Sequence, residues 1–157
     1  MADPSLQSGY IKALRILYTA MLAGQVLFFL IVFALQWSNM LYNNTELTAV
    51  FIYLAPAVSL FSILFSSRYF RKKLPAAAAA PYLSLKLDEY RKLYIMRCAI
   101  MEGGTIFCII MYFITGHSLM LACSFAGIVM FAGLRPAKEK IIQELELSSE
   151  EIKIFES

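Results

Sequence analysis

Glu102 is the residue whose placement asks for chemistry. It stands in "RCAIMEGGTIF" (Arg97–Phe107), the one acid inside a long apolar run, with Gly103 and Gly104 directly after it. If a helix starts near Leu93, Glu102 lies about 13 Å in, close to the middle of a hydrocarbon layer of about 30 Å. A charged carboxylate at that depth costs about 2.5–3.5 kcal/mol on insertion scales. It must therefore face other helices, be protonated or find a partner. Arg97 precedes it by five residues, about 140° round a helix, and is placed to snorkel towards the nearer surface rather than to pair with it. Gln25 is the better hydrogen-bond candidate. Three readings of Glu102 stay open: a hydrogen bond across helices that pins their register, a proton- or ion-handling group, or a carboxylate facing a partner subunit.

Other chemistry finds little support. The chain has one histidine, His117, at a span boundary, and three cysteines, Cys98, Cys108 and Cys123, all in apolar runs, and none of the four is clustered as a metal ligand. The cysteines read as small packing residues. No Ser/His/Asp set and no phosphate loop occurs, so neither catalytic residues, a metal nor a cofactor is expected, and the protein is expected not to be an enzyme.

The elements that position Glu102 are four runs almost free of charge: Ile16–Trp37, Leu47–Phe65, Cys98–Gly116 and Ser118–Leu134. Of the 157 residues 60% are hydrophobic and 16% charged, against roughly a quarter charged in soluble proteins. Runs of about 17–25 apolar residues are what a spanning helix needs. The expected fold is all-α: a polytopic membrane protein with spans at about 11–37, 47–66, 93–115 and 117–134, forming a domain over 1–134, and a cytoplasmic helical tail over 135–157. The polar start "MADPSLQSGY" and the length of the first run read as a first span, not a cleaved signal.

The fourteen Lys and Arg set the orientation. They lie before the first run, between the second and third, and after the fourth, which places both termini and the 2–3 loop in the cytoplasm. The basic residues are therefore expected to meet lipid headgroups, and no nucleic acid is expected as a partner. Asn43-Asn44-Thr45 forms a sequon on the outer side, and "PAAAAAP" (Pro75–Pro81) reads as a spacer. The tail reads as two short amphipathic helices, lying on the membrane or docking a partner, with Ser148 as N-cap and Glu151 completing a capping box.

The first and third runs align at an offset of 79 and share an A-x-x-x-G-x-x-x-F stripe: Ala20, Gly24 and Phe28 over Ala99, Gly103 and Phe107. The second and fourth align at an offset of 67. The expectation is two hairpins in parallel repeat, with the Ala20/Gly24 and Ala99/Gly103 stripes as packing faces. Gln25 and Glu102 would then approach each other in the centre.

The segments "LYTAMLAGQ", "RCAIMEG" and "LRPAKEKI", with "ELELSSEE" after them, resemble a family of small uncharacterised four-helix membrane proteins of Bacteroidota. That resemblance implies a bacterial inner membrane and no established activity. A buried Glu between small-residue stripes is more distantly similar to the rotor-ring proteolipids of ion-translocating ATPases; the long 2–3 loop departs from that pattern. The expected role is an accessory or scaffold protein, as a homo-oligomer or in a larger membrane complex. The alternative is a small transporter or ion-handling protein that uses Glu102.

Overall fold

The computed structural model describes residues 4–38 and 45–156, with side chains over 9–38 and 48–155. Six helices follow one another: α1 (Pro4–Trp37), α2 (Thr45–Ala78), α3 (Leu83–Thr115), α4 (Ser118–Ala132), α5 (Lys138–Glu144) and α6 (Ser149–Glu156). Three stretches, Gly9–Trp37, Thr48–Ala78 and Leu83–Thr115, are long and apolar enough to cross a membrane. Helix α4 has 15 residues, about 22 Å at 1.5 Å per residue, and falls short of that length on its own. Asn43 and Asn44 of the sequon lie outside the described residues.

The two largest boundary shifts from the sequence reading lie between the second and third runs. Helix α2 runs on through Pro75 to Ala78, and the chain turns only at 79–82, so most of the alanine run is helix rather than spacer. Alanine is the strongest helix former, and Pro75 takes one backbone donor from a stretch whose Pro75 and Ala76 are exposed. Helix α3 likewise starts at Leu83, ten residues before the expected span. The turn into α4 is tight. Gly116 takes the left-handed conformation (φ 63°) that closes α3, and its N–H donates to the Tyr112 carbonyl at 2.8 Å. His117 then caps α4, its Nδ1 accepting from the Leu119 N–H at 3.2 Å.

Three long-range hydrogen bonds measure depth along the bundle. The Tyr10 hydroxyl donates to the Leu87 carbonyl at 2.7 Å, and the Gln36 amide to the Tyr112 and Phe113 carbonyls at 3.2 and 3.1 Å. These pairs are 77, 76 and 77 residues apart, so α1 and α3 run side by side in the same direction. At one end the Tyr18 hydroxyl donates to the Ala132 carbonyl (2.8 Å) and the Tyr94 hydroxyl to the Leu134 carbonyl (2.9 Å). The end of α4 is therefore level with Tyr18 and Tyr94. Helix α2 is antiparallel to α3: Ala55 lies against Cys108, Ser62 against Gly104 and Phe70 against Tyr90.

The surface between these levels is apolar. Leu27, Tyr53, Leu60, Phe61, Phe125 and Val129 are each more than half exposed, on three different helices. An exposed belt of this kind would be a liability in water and is ordinary against lipid.

The tail is a built-in cap rather than a free amphipathic surface. Ile141 and Leu145 are fully buried and Leu147 and Phe155 nearly so, joining one cluster with Phe70, Leu87 and Tyr90 from the ends of α2 and α3. Tyr90 donates to Glu144 Oε2 at 2.6 Å, and Lys86 pairs with Glu151 at 2.9 Å. The expected capping box forms. Glu151 Oε2 accepts from the Ser148 N–H at 2.9 Å, and Ser148 Oγ accepts from the Glu151 N–H at 3.3 Å. The bond from Lys86, with the Ser148 N–H behind it, holds the Glu151 carboxyl below its ordinary range.

Candidate functional site

The seams of the bundle are made of small residues, but not the expected ones. Ala20, Gly24, Ala99 and Gly103 are all exposed, and a Cβ built on Gly24 or Gly103 would meet nothing within 4 Å. Within the chain these stripes pack no helix, which corrects the expectation. The close approaches are one residue on, or on another element. A Cβ on Gly104 would collide with the Ser62 side chain, coming within 2.7 Å of its Cβ, and one on Gly127 would stand 3.2 Å from the Thr105 Cβ. Gly104 thus admits α2, and Gly127 admits α3.

Four of the serine and threonine hydroxyls that line these seams bond within their own helices, while the Ser59 side chain reaches Cys108 across the α2–α3 seam. Ser62 donates to the Val58 and Ser59 carbonyls (2.8 and 2.9 Å), Ser66 to Ile63 (3.0 Å), Thr105 to Met101 (3.0 Å) and Ser124 to Met120 (2.7 Å). Each of these four hydroxyls is satisfied by its own helix, so the residue acts as a small knob that carries no unpaired group into the core. The signal for this seam was in the sequence: Ser59, Ser62 and Ser66 share one face of α2, with Gly104 in the middle of α3. The matched stripes of the repeat drew attention away from it. Cys98 and Cys108 are buried as packing residues, the Cys108 thiol reaching the Ala55 carbonyl at 3.5 Å.

Gln25 is the polar anomaly. Its side chain is 1% exposed, on the buried stripe of α1 with Leu14, Tyr18 and Val32. Neither Nε2 nor Oε1 has a hydrogen-bond partner. Leaving such a group unpaired costs about 1–3 kcal/mol, and more where both ends of an amide are dry. The stripe positions it: Tyr18 stacks on Phe131 (5.6 Å between centroids) and Phe29 meets Phe125 (6.5 Å), so Gln25 enters the bundle between these two contacts with α4.

Glu102 stands 77 residues after Gln25, the spacing at which α1 and α3 are hydrogen-bonded elsewhere, so the two are at one depth on adjacent parallel helices. That depth is eight residues from Tyr94 and ten from Tyr112, about 12 and 15 Å, the middle of the layer. Glu102 is half-buried, and among the described residues no hydrogen bond or ion pair reaches its carboxyl. The structure thus brings Gln25 and Glu102 to the same level without joining them. Arg97 is not their partner. Its guanidinium lies over the Phe70 ring, 4.7 Å from the centroid. Phe70 also meets Tyr90 at 5.8 Å, so Arg97 leans towards the capped end, the direction expected of a snorkelling side chain. Its Nε is buried without a hydrogen-bond partner.

Among the described residues no group of His, Cys, Asp or Glu could hold a metal ion. Compared with known proteins, the chain matches no family model, no curated protein and no solved structure. Its long apolar helices fit a membrane protein.

Proposed function

We propose that the protein is a four-span bacterial inner-membrane protein with both termini in the cytoplasm, and that it serves without enzymatic activity as an accessory or scaffold subunit. The proposed inner-membrane setting agrees with the resemblance to small membrane proteins of Bacteroidota. The fourth span is supported by the depth markers. Helix α4 begins directly after the Gly116 turn, beyond the level of Gln36 and Tyr112, and ends level with Tyr18 and Tyr94. Short as it is, it accompanies α3 through the same layer. A short span is accommodated by local thinning of the bilayer. The Lys and Arg then fall at or beyond the capped end, and the cap of α5 and α6 is cytoplasmic.

One observation carries the scaffold reading. Ala20 with Gly24, and Ala99 with Gly103, are uncovered at similar depth on neighbouring helices, where the chain gives nothing to fill them. Small residues four apart let a foreign helix approach closely. The test is the double substitution Gly24→Leu, Gly103→Leu, followed by the mass of the complex extracted in mild detergent and by the melting of the chain. The expected result is loss of the larger assembly, homo-oligomeric or mixed, with melting unchanged. An assembly that survives the double substitution overturns the reading.

The unpaired Gln25 amide favours a second function. An amide both donates and accepts, so it can bond a neighbouring carboxyl in either protonation state, and Glu102 is at its level. A proton- or ion-handling role would show as ion flux in proteoliposomes that Glu102→Gln abolishes while leaving the fold intact; undiminished flux would exclude it.

A further inference from the structure

The outer face of α1 carries a feature that neither the seams nor Gln25 use. Lys12, Arg15, Ile16, Thr19, Ala20 and Ala23 line one shallow groove, and all six are exposed. Its two ends differ in chemistry. Arg15 and Lys12 lie three and six residues before Tyr18, about 4.5 and 9 Å beyond the edge of the layer, within the depth of a headgroup region. Ala20 and Ala23 lie inside the layer, recessed between Ile16 and Leu27, which are 60% and 61% exposed. A third cation stands at about the depth of Arg15. Arg135 follows by three residues the Ala132 carbonyl that Tyr18 holds, and it too is exposed. Lys86 and Lys92 are neutralised by Glu151 and Glu89. Among the described residues no acid pairs with Lys12, Arg15 or Arg135.

We propose that this groove binds one anionic phospholipid, with its phosphate at Lys12, Arg15 and Arg135 and an acyl chain lying along Ile16, Ala20 and Ala23. The proposal rests on the membrane reading above. Charge complementarity selects the occupant. A second copy of this chain would bring its own unneutralised cations to the same depth, whereas an anionic headgroup supplies the missing charge where the bilayer already places it. Thr19 offers a hydroxyl between the two halves of the groove.

The test is retention of phosphatidylglycerol by the full chain in mild detergent, read by native mass spectrometry, beside flotation with neutral phosphatidylcholine vesicles. Replacing Lys12, Arg15 and Arg135 with Gln is expected to weaken retention on the order of a hundredfold. Replacing Arg71, Lys72 and Lys73, equal in number and exposed on α2, should change it little. Ala20→Phe, which fills the groove, should lower phospholipid retention while leaving binding of glycerol phosphate unchanged. Equal losses for the two charge triplets would show diffuse attraction and overturn the site, as would full retention in Ala20→Phe. A doubled mass that Ala20→Phe reduces without lowering phosphatidylglycerol retention would put a second copy in the groove in place of the lipid and also overturn it. Flotation separates the two levels: a chain that floats without retaining phosphatidylglycerol refutes the site alone, and one that does not float refutes the membrane reading.

Discussion

Gly103 and Gly104 are neighbours in α3, and the same substitution should act oppositely on them. Alanine is better than glycine inside a helix by about 0.8–1.0 kcal/mol, a gain that applies equally to both. At Gly103 the new methyl meets nothing within 4 Å, so Gly103→Ala should stabilise by up to that amount. At Gly104 it would stand 2.7 Å from the Ser62 Cβ. Carbon atoms rest at about 3.5–4.0 Å, so α2 and α3 must part by about 1 Å along much of their seam. Overpacking of this kind costs about 1–3 kcal/mol. The difference between the two variants cancels the propensity gain and isolates the collision, at about 1–3 kcal/mol. Reversible unfolding in mixed detergent micelles reads it. Ser62→Gly removes the colliding atom, so Ser62→Gly with Gly104→Ala should recover most of the loss, a coupling expected only for residues in contact. Equal effects at 103 and 104, or no rescue by Ser62→Gly, would refute the seam.

The unpaired amide of Gln25 makes Gln25→Leu stabilising by about 1–3 kcal/mol, since it removes a buried polar group that nothing satisfies; a loss of stability in the same unfolding assay would show that the amide is bonded, with Glu102 the first candidate. For the cap, Glu151→Gln should loosen α6, read as faster amide exchange over residues 149–156, by about 0.5–2 kcal/mol. Because the Glu151 carboxyl titrates below its ordinary value of 4.5, its contribution should be complete above about that pH and be lost as pH falls through the lowered value. Exchange protection of α6 that already declines between pH 7 and 5 would contradict this.

Much of the architecture was legible because it depends on composition. Long apolar runs and a Ser-x-x-Glu box report directly on helices apolar enough to cross a membrane and on the start of α6. The lateral arrangement was not legible, because in lipid an apolar face is compatible with either a neighbour or the bilayer. That is why the Ala20/Gly24 and Ala99/Gly103 stripes, conspicuous in the alignment, turned outward, while Gly104 and Ser62 made the contact. The tail was misplaced for a related reason: Ile141, Leu145 and Phe155 show that a helix has an apolar face, not what covers it. The extensions of α2 and α3 supply the cover, and alanines beside Pro75 gave little hint that α2 continues that far. The common level of Gln25 and Glu102 followed from aligning the first and third runs, and the hydrogen-bonded offsets of 76 and 77 in place of 79 bring them to the same depth.

The path of the chain past α4 decides the whole arrangement, because a bundle in which α4 fails to cross would put the Gly116 turn and the cap on one side. In a variant with Cys98, Cys108 and Cys123 replaced by Ala, single cysteines at His117 and Ser149 can be labelled with a membrane-impermeant maleimide on intact spheroplasts and again after lysis. Four traverses with a cytoplasmic cap predict that His117→Cys labels on intact spheroplasts and Ser149→Cys only after lysis. Labelling of both before lysis, or of neither, would contradict it.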